Sequence, residues 1–196
     1  LRATGNCQQL VDCAIMTDLP TTLPSSKRPP MLIRIILEDL QQARAYANEM
    51  LSHVDESVWF RQPADSVNHI AWQVGHMTIA QYGLCLKRVR GVREEDSQLF
   101  DVLEFGELFG KGSIPSCSEH DYPTPVEIRN AFNAVHAQVE SEIAAIDPSV
   151  LEDSAGPEHP MFNTKGGSLR FSAKHEMLHV GQIGLLRRFF GCTFIR

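Results

Sequence analysis

Two histidines four residues apart, His175 and His179, carry the clearest chemistry in this chain. Residues i and i+4 of a helix lie one above the other on one face, so two imidazoles at that spacing can bind one metal ion. His175-Glu176-Met177-Leu178-His179 also has the HExxH form of zinc proteases, in which Glu176 would be the general base. That form needs a third ligand further on. None of the residues after His179 is His, Asp or Glu, and Cys192 is the sole conventional ligand type there. At about 1.5 Å per residue Cys192 would stand roughly 20 Å from His179, against metal–ligand distances of about 2 Å. An upstream ligand is available in His76, beside Gly75. Gly181 and Gly184 follow His179, and small residues there would let helix backbones approach. Bundle metal sites are built from inward side chains on facing helices in this way. Three histidines leave coordination positions for water or substrate, the pattern of a reactive site.

Four helical patterns must position these residues. The first spans about Leu32 to Val54, with Ile33, Ile36, Leu40, Ala43, Ala47, Met50 and Leu51 at core spacing. Glu38, Asp39, Gln41, Gln42 and Arg44 fill its other face. The second spans about Ser66 to Arg90, capped by Asp65 or Ser66. It carries two adjacent stripes, one through Ile70, Val74 and Met77 and one through His69, Trp72, His76 and Ile79. Two stripes predict burial on more than one side. The third opens at Thr124-Pro125-Val126-Glu127, a capping box with proline at the first helical position, and Asp147-Pro148 ends it. The fourth runs from Ser168 or Ser172 to Phe190, with His175, Leu178, His179, Gln182, Leu186 and Phe189 on one face. Gly191 suits its C-terminal cap. The loop from about Gly91 to Pro123 is long and holds enough apolar residues for a short helix. No strand pair announces itself between Ser149 and Gly167. The expected fold is all-α, a four-helix bundle with long crossover loops.

The 196 residues suit one domain. Residues 1 to 30, rich in Pro, Thr and Ser, read as an irregular arm or lead-in, and residues 31 to 196 as the bundle domain, with Met31 a plausible start. A net charge of −6 without a Lys/Arg run gives no support to a nucleic-acid partner. No stretch is long and apolar enough for a membrane span, and the N-terminus lacks the pattern of a secretory signal. Five scattered cysteines form no CxxC pair, so a reducing, cytoplasmic setting is expected.

Asn68-His69-Ile70-Ala71-Trp72-Gln73-Val74-Gly75-His76 is followed by Leu108-Phe109-Gly110-Lys111-Gly112-Ser113 and Asp121-Tyr122-Pro123-Thr124. Then comes His175-Glu176-Met177-Leu178-His179-Val180-Gly181-Gln182-Ile183. This order resembles the DinB/YfiT-like superfamily over about Met31 to Gly191. The resemblance implies a four-helix bundle with a three-histidine metal site on His76, His175 and His179. It implies zinc or nickel, a homodimer, and in some relatives a thiol S-transferase activity in which the metal activates a low-molecular-weight thiol toward a small-molecule substrate. Other relatives serve as metal-binding modules. The three readings to compare are therefore a thiol transferase, a non-catalytic metal-binding dimer and a literal HExxH zinc hydrolase. Metal affinity is expected to fall as histidines protonate near pH 6.

The neighbours have ordinary readings. His69 reads as a satisfied or surface histidine. His53, His120, His136 and His159 read as end, loop or surface residues, with His120 and His159 on loops able to cover a pocket. Glu176, turned about 100° from His175, reads as a solvated or helix-facing carboxylate rather than a base. Asn68 and Gln182 are candidates to orient an imidazole. Trp72 could wall the pocket, and Cys85 reads as a small buried hydrophobe.

Overall fold

A computed structural model of the chain describes residues 29–65 and 67–192, so the arm expected over residues 1 to 30 lies almost wholly outside the described residues. Four long helical runs dominate. They are α1 (Met31–Ser52), α2 (Ile70–Gln81), α5 (Pro125–Ala144) and α6 (Lys165–Phe189). Between them, α2 continues through a π-helical segment, Tyr82–Lys87, into the last turn α3 (Arg88–Arg90). The long loop carries the short helix α4 (Val102–Phe109). The packing runs in a ring: α1 on α6, α6 on α2, α2 on α5 and α5 on α1. The all-α bundle with long crossovers is therefore the observed fold.

Local chemistry sets most of the boundaries. Thr124 and Glu127 form the expected capping box, with the Glu127 backbone N–H donating to Thr124 Oγ1 and the Thr124 N–H to Glu127 Oε2. At the far end of α6 the Gly191 N–H reaches Arg188 O and the Cys192 N–H reaches Arg187 O. With Gly191 at φ 72°, this is the double closure of a Schellman cap. Two starts differ from expectation. The side chain of His69, not Asp65 or Ser66, caps α2, accepting from the Trp72 N–H at 2.9 Å. α6 begins at Lys165, three residues before the earlier expected start, because the Thr164 hydroxyl caps it by accepting from the Gly167 N–H.

A β-hairpin stands where no strand was expected. β1 (Ser154–His159) pairs antiparallel with β2 (Phe162–Thr164), and the pairing is irregular between Ser154 and His159. Gly156 and Pro157 lie within β1, and neither suits a regular strand, so the alternation that signals strands is missing from the sequence. Arg88 fastens this hairpin to the end of α3 by donating from Nη1 to Ala155 O and Pro157 O.

A buried polar cluster ties the long helices together. Arg44, expected on the outer face of α1, is instead 4% exposed. Its Nε donates to Glu176 Oε1 at 2.7 Å, its Nη2 to Gln81 Oε1 at 2.9 Å and its Nη1 to the Phe132 carbonyl. Its guanidinium also lies over the Phe132 ring. Glu176 is thus the helix-facing carboxylate of the two readings, buried and ion-paired across α1 and α6. His136 corrects its surface reading: it is buried, with Nδ1 3.3 Å from Gln81 Nε2. Burial holds its pKa down to about 3, with the Arg44 charge adding to the effect.

Breaking the Arg44–Glu176 pair from one side leaves an uncompensated buried charge. Glu176→Ala is expected to lower unfolding free energy by about 3–5 kcal/mol, while the double replacement Arg44→Met/Glu176→Leu recovers most of it. Urea unfolding of the single and double variants checks this. A single variant as stable as wild type contradicts it.

Candidate metal centre

The inner stripe of α2 and one flank of α6 bring His76, His175 and His179 together. One ligating atom from each lies within 4.8 Å of those of the other two. Their ring centroids are 4.5 to 5.2 Å apart. This is the geometry of a site that could hold one metal ion, closing on bond distances of about 2 Å with small side-chain shifts.

Each imidazole is set by what its other atoms touch. His76 Nδ1 donates to the Phe109 carbonyl at 2.7 Å. His179 Nδ1 lies 2.6 Å from Gln73 Oε1 and donates to it. Both contacts place the proton on Nδ1 and leave Nε2 as the lone-pair nitrogen, the tautomer a metal ligand needs. His179 Nε2 faces His175 Nε2 at 3.2 Å. Trp72 stacks on His76, centroids 4.6 Å apart and planes 7° from parallel, and its Nε1 donates to Ser113 Oγ. Trp72 therefore walls the site as well as filling core. Phe171 closes another side, 5.9 Å from the His175 ring.

Burial is the first cause of a lowered pKa at all three histidines. His175 is held at about 4, with His76 and His159 adding repulsion, and His179 at about 3, with His175 and His76 adding theirs. His76 is lowered against a raising bond from Phe109. In the metal-free cluster His175 and His179 therefore stay neutral well below the ordinary imidazole range, and their lone pairs persist in mild acid.

Several neighbours fall elsewhere than the sequence suggests. Gln182 is exposed and Asn68 makes no contact with a ligand ring, so neither orients an imidazole. Leu178 and Phe189 are likewise exposed, at 60% and 63%. The inward face of α6 runs instead through Leu169, Ser172, Ala173, Glu176, Val180, Ile183 and Arg187. Gly181 and Gly184 look into open space and permit no close helix approach. Gly75 does serve one: a Cβ there would meet the Phe109 ring at 2.4 Å. His69 is the satisfied histidine, with Nε2 donating to Ser116 O and burial holding its pKa at about 4. Cys85 is a buried thiol raised to about 12 by burial, as expected of a packed hydrophobe. His120 is exposed, whereas His159 lines the cavity described next. Gln73 and the Phe109 carbonyl were not anticipated. A glutamine inside an apolar helix, three residues before His76, was the available signal for the first; a backbone carbonyl leaves none.

A cavity of about 740 Å³ opens onto His76 and His175. One wall is the face of α2 that continues through Ile79 and Gly83 to Arg88, and the other is formed by the hairpin and Phe171. The size is that of a small-molecule site. The π-helical turn falls along this wall, a distortion often found beside functional sites.

The fold and centre define a class: a helical bundle with a three-histidine cluster, two members of which line a ligand-sized cavity. The chain belongs to the DinB superfamily, whose family model matches residues 39–183. No curated protein sequence matches it. Among the described residues no helix is long and apolar enough to cross a membrane.

Two outcomes follow from this geometry. Gly75→Ala is expected to cost about 1–3 kcal/mol by displacing Phe109, and to weaken metal retention by withdrawing the carbonyl that orients His76. Urea unfolding and equilibrium dialysis read the two effects. In the metal-free protein, His69, His175 and His179 are neutral in the fold but titrate near 6.5 when unfolded. The unfolded chain therefore takes up protons first. Stability is full above pH 6.5 and declines as pH falls toward 4. Urea midpoints at pH 7.5 and 5 test this, and equal midpoints contradict it.

Proposed function

We propose that the protein is a metal-dependent enzyme of the thiol S-transferase type, holding one zinc or nickel ion on His76, His175 and His179. The observation that carries this reading is the convergence of three imidazoles, two of which face a cavity large enough for a substrate. The donor set fits the ion, since imidazole nitrogen suits both metals and two of the three rings are held in the ligating tautomer. A bound divalent ion supplies Lewis acidity, lowering the pKa of a thiol from about 8.5 so that it reacts as thiolate at neutral pH.

The chain's own residues do the positioning. Gln73 and the Phe109 carbonyl fix ring orientation. Trp72 and Phe171 keep water from two sides of the cluster, and the cavity admits thiol and electrophile from the side on which His76 and His175 are reached. Access at that side favours an enzyme over a closed, non-catalytic metal-binding module. The hydrolase reading has no base, because Glu176 is ion-paired with Arg44 inside the bundle. A homodimer, as the family likeness implies, in the reducing cytoplasmic setting that the scattered cysteines suggest, completes the proposal. Leu178, Leu185 and Phe189 offer an exposed apolar strip on α6 for the partner subunit.

Elemental analysis of protein purified without a metal-affinity tag is the test. Wild type is expected to hold about one equivalent of zinc or nickel, lost in His76→Ala and in His175→Ala. Loaded protein is then expected to accelerate thiol conjugation across a panel of electrophiles. Metal without conjugation would favour the binding module, and no metal even after addition would make these structural histidines.

A further inference from the structure

The cavity carries a charge pattern that the three histidines do not explain. The chain is acidic overall, at −6, yet no Asp or Glu lines the cavity, while Lys87, Arg88 and Lys111 all do. Among the described residues neither lysine enters an ion pair. Arg88 spends its Nη1 hydrogens on two carbonyls, which leave its charge unneutralised. Arg88, Lys111 and His159 all line this one cavity. Burial first, and then the Arg88 and Lys111 charges, disfavour protonation of His159.

These cations are distinct from the metal centre but share its cavity. The rings of His159, Phe171 and His175 follow one another at 5.2 and 5.9 Å. Lys111 comes two residues after Phe109, the residue whose carbonyl holds His76. Arg88 arrives from the other direction along the α2 wall, held in place by the hairpin carbonyls. Low-dielectric walls such as Phe171 and Leu84 strengthen the field of unpaired cations.

We infer that Arg88 and Lys111 make a carboxylate-binding subsite of this cavity, selecting ligands that carry an anionic group a short apolar span away from the end that meets the histidines. Only the identity of that other end rests on the proposed thiol chemistry. Arg88 presents a planar fork suited to a carboxylate, and Lys111 a mobile point charge at the mouth. The rest of the lining, with Ile79, Leu84 and Phe171, is largely apolar and suits a methylene chain.

The test compares isosteres that differ only in this charge. Metal-free protein is titrated with hexanoate and with 1-hexanol, read by amide chemical shifts. Cobalt-loaded protein is titrated with 6-mercaptohexanoate and 6-mercaptohexanol, read by the sulfur-to-cobalt absorption band. In wild type the acid of each pair is expected to bind roughly five- to tenfold tighter than the alcohol, less so in high salt. Lys111→Gln, at an exposed position, is expected to cut that ratio severalfold without disturbing the fold. Arg88→Gln is expected to abolish it, with Arg88→Lys as the control for loss of the hairpin clamp. Acid and alcohol binding equally in the metal-free protein would overturn the inference, as would a ratio unmoved in Lys111→Gln and Arg88→Gln. A preference for hexanoate with no cobalt–thiolate band would sustain the subsite and sink the thiol reading. The converse would do the opposite.

Discussion

The buried pair between Arg44 of α1 and Glu176 of α6 governs how the rest of the molecule is arranged. A carboxylate and a guanidinium both almost free of solvent are tolerable only together, with their remaining hydrogen-bonding groups satisfied. Gln81 and the Phe132 carbonyl do that, so α2 and α5 are drawn to the same point. One ion pair thereby fixes the mutual rotation of all four long helices.

That rotation decides where the chemistry goes. On a helix each residue turns about 100°, so committing Glu176 to the bundle interior swings His175 and His179 together toward α2. There they meet His76. The five-residue stretch that reads as a protease motif is split by its own geometry, with the glutamate structural and the two histidines free to act. A general base at Glu176 and a metal site on its neighbours would require two different rotations of one helix.

The surroundings of the histidines come from irregular structure. A crossover helix delivers the Phe109 carbonyl to His76, and a glycine at position 75 gives the Phe109 ring room to lie there. A short, irregular hairpin closes the cavity and is held by Arg88. Loops and bulges tune such a cavity more freely than helices can, since they carry less of the core. The histidines stand on rigid helices here, while the segments between them shape much of the cavity.

Much was legible in the sequence because its causes are local. Apolar residues every three or four positions, the capping box at Thr124, the terminal glycine at position 191 and the i, i+4 spacing of His175 and His179 act within a turn or two of helix. They determine four helical spans and a histidine pair on one face. Family likeness joined His76 to that pair. What only the tertiary structure decided depends on contacts between distant segments. Arg44 and Glu176 stand 132 residues apart, and His179 and Gln73 stand 106 apart. Periodicity marks Arg44 as surface and puts Gln182 inward, because it cannot know which neighbour will neutralise a charge. The hairpin escaped for a related reason. Its two strands pair with each other and are held to the bundle by Arg88, which donates to β1, and by packing on α6, and no alternation of their own residues announces them.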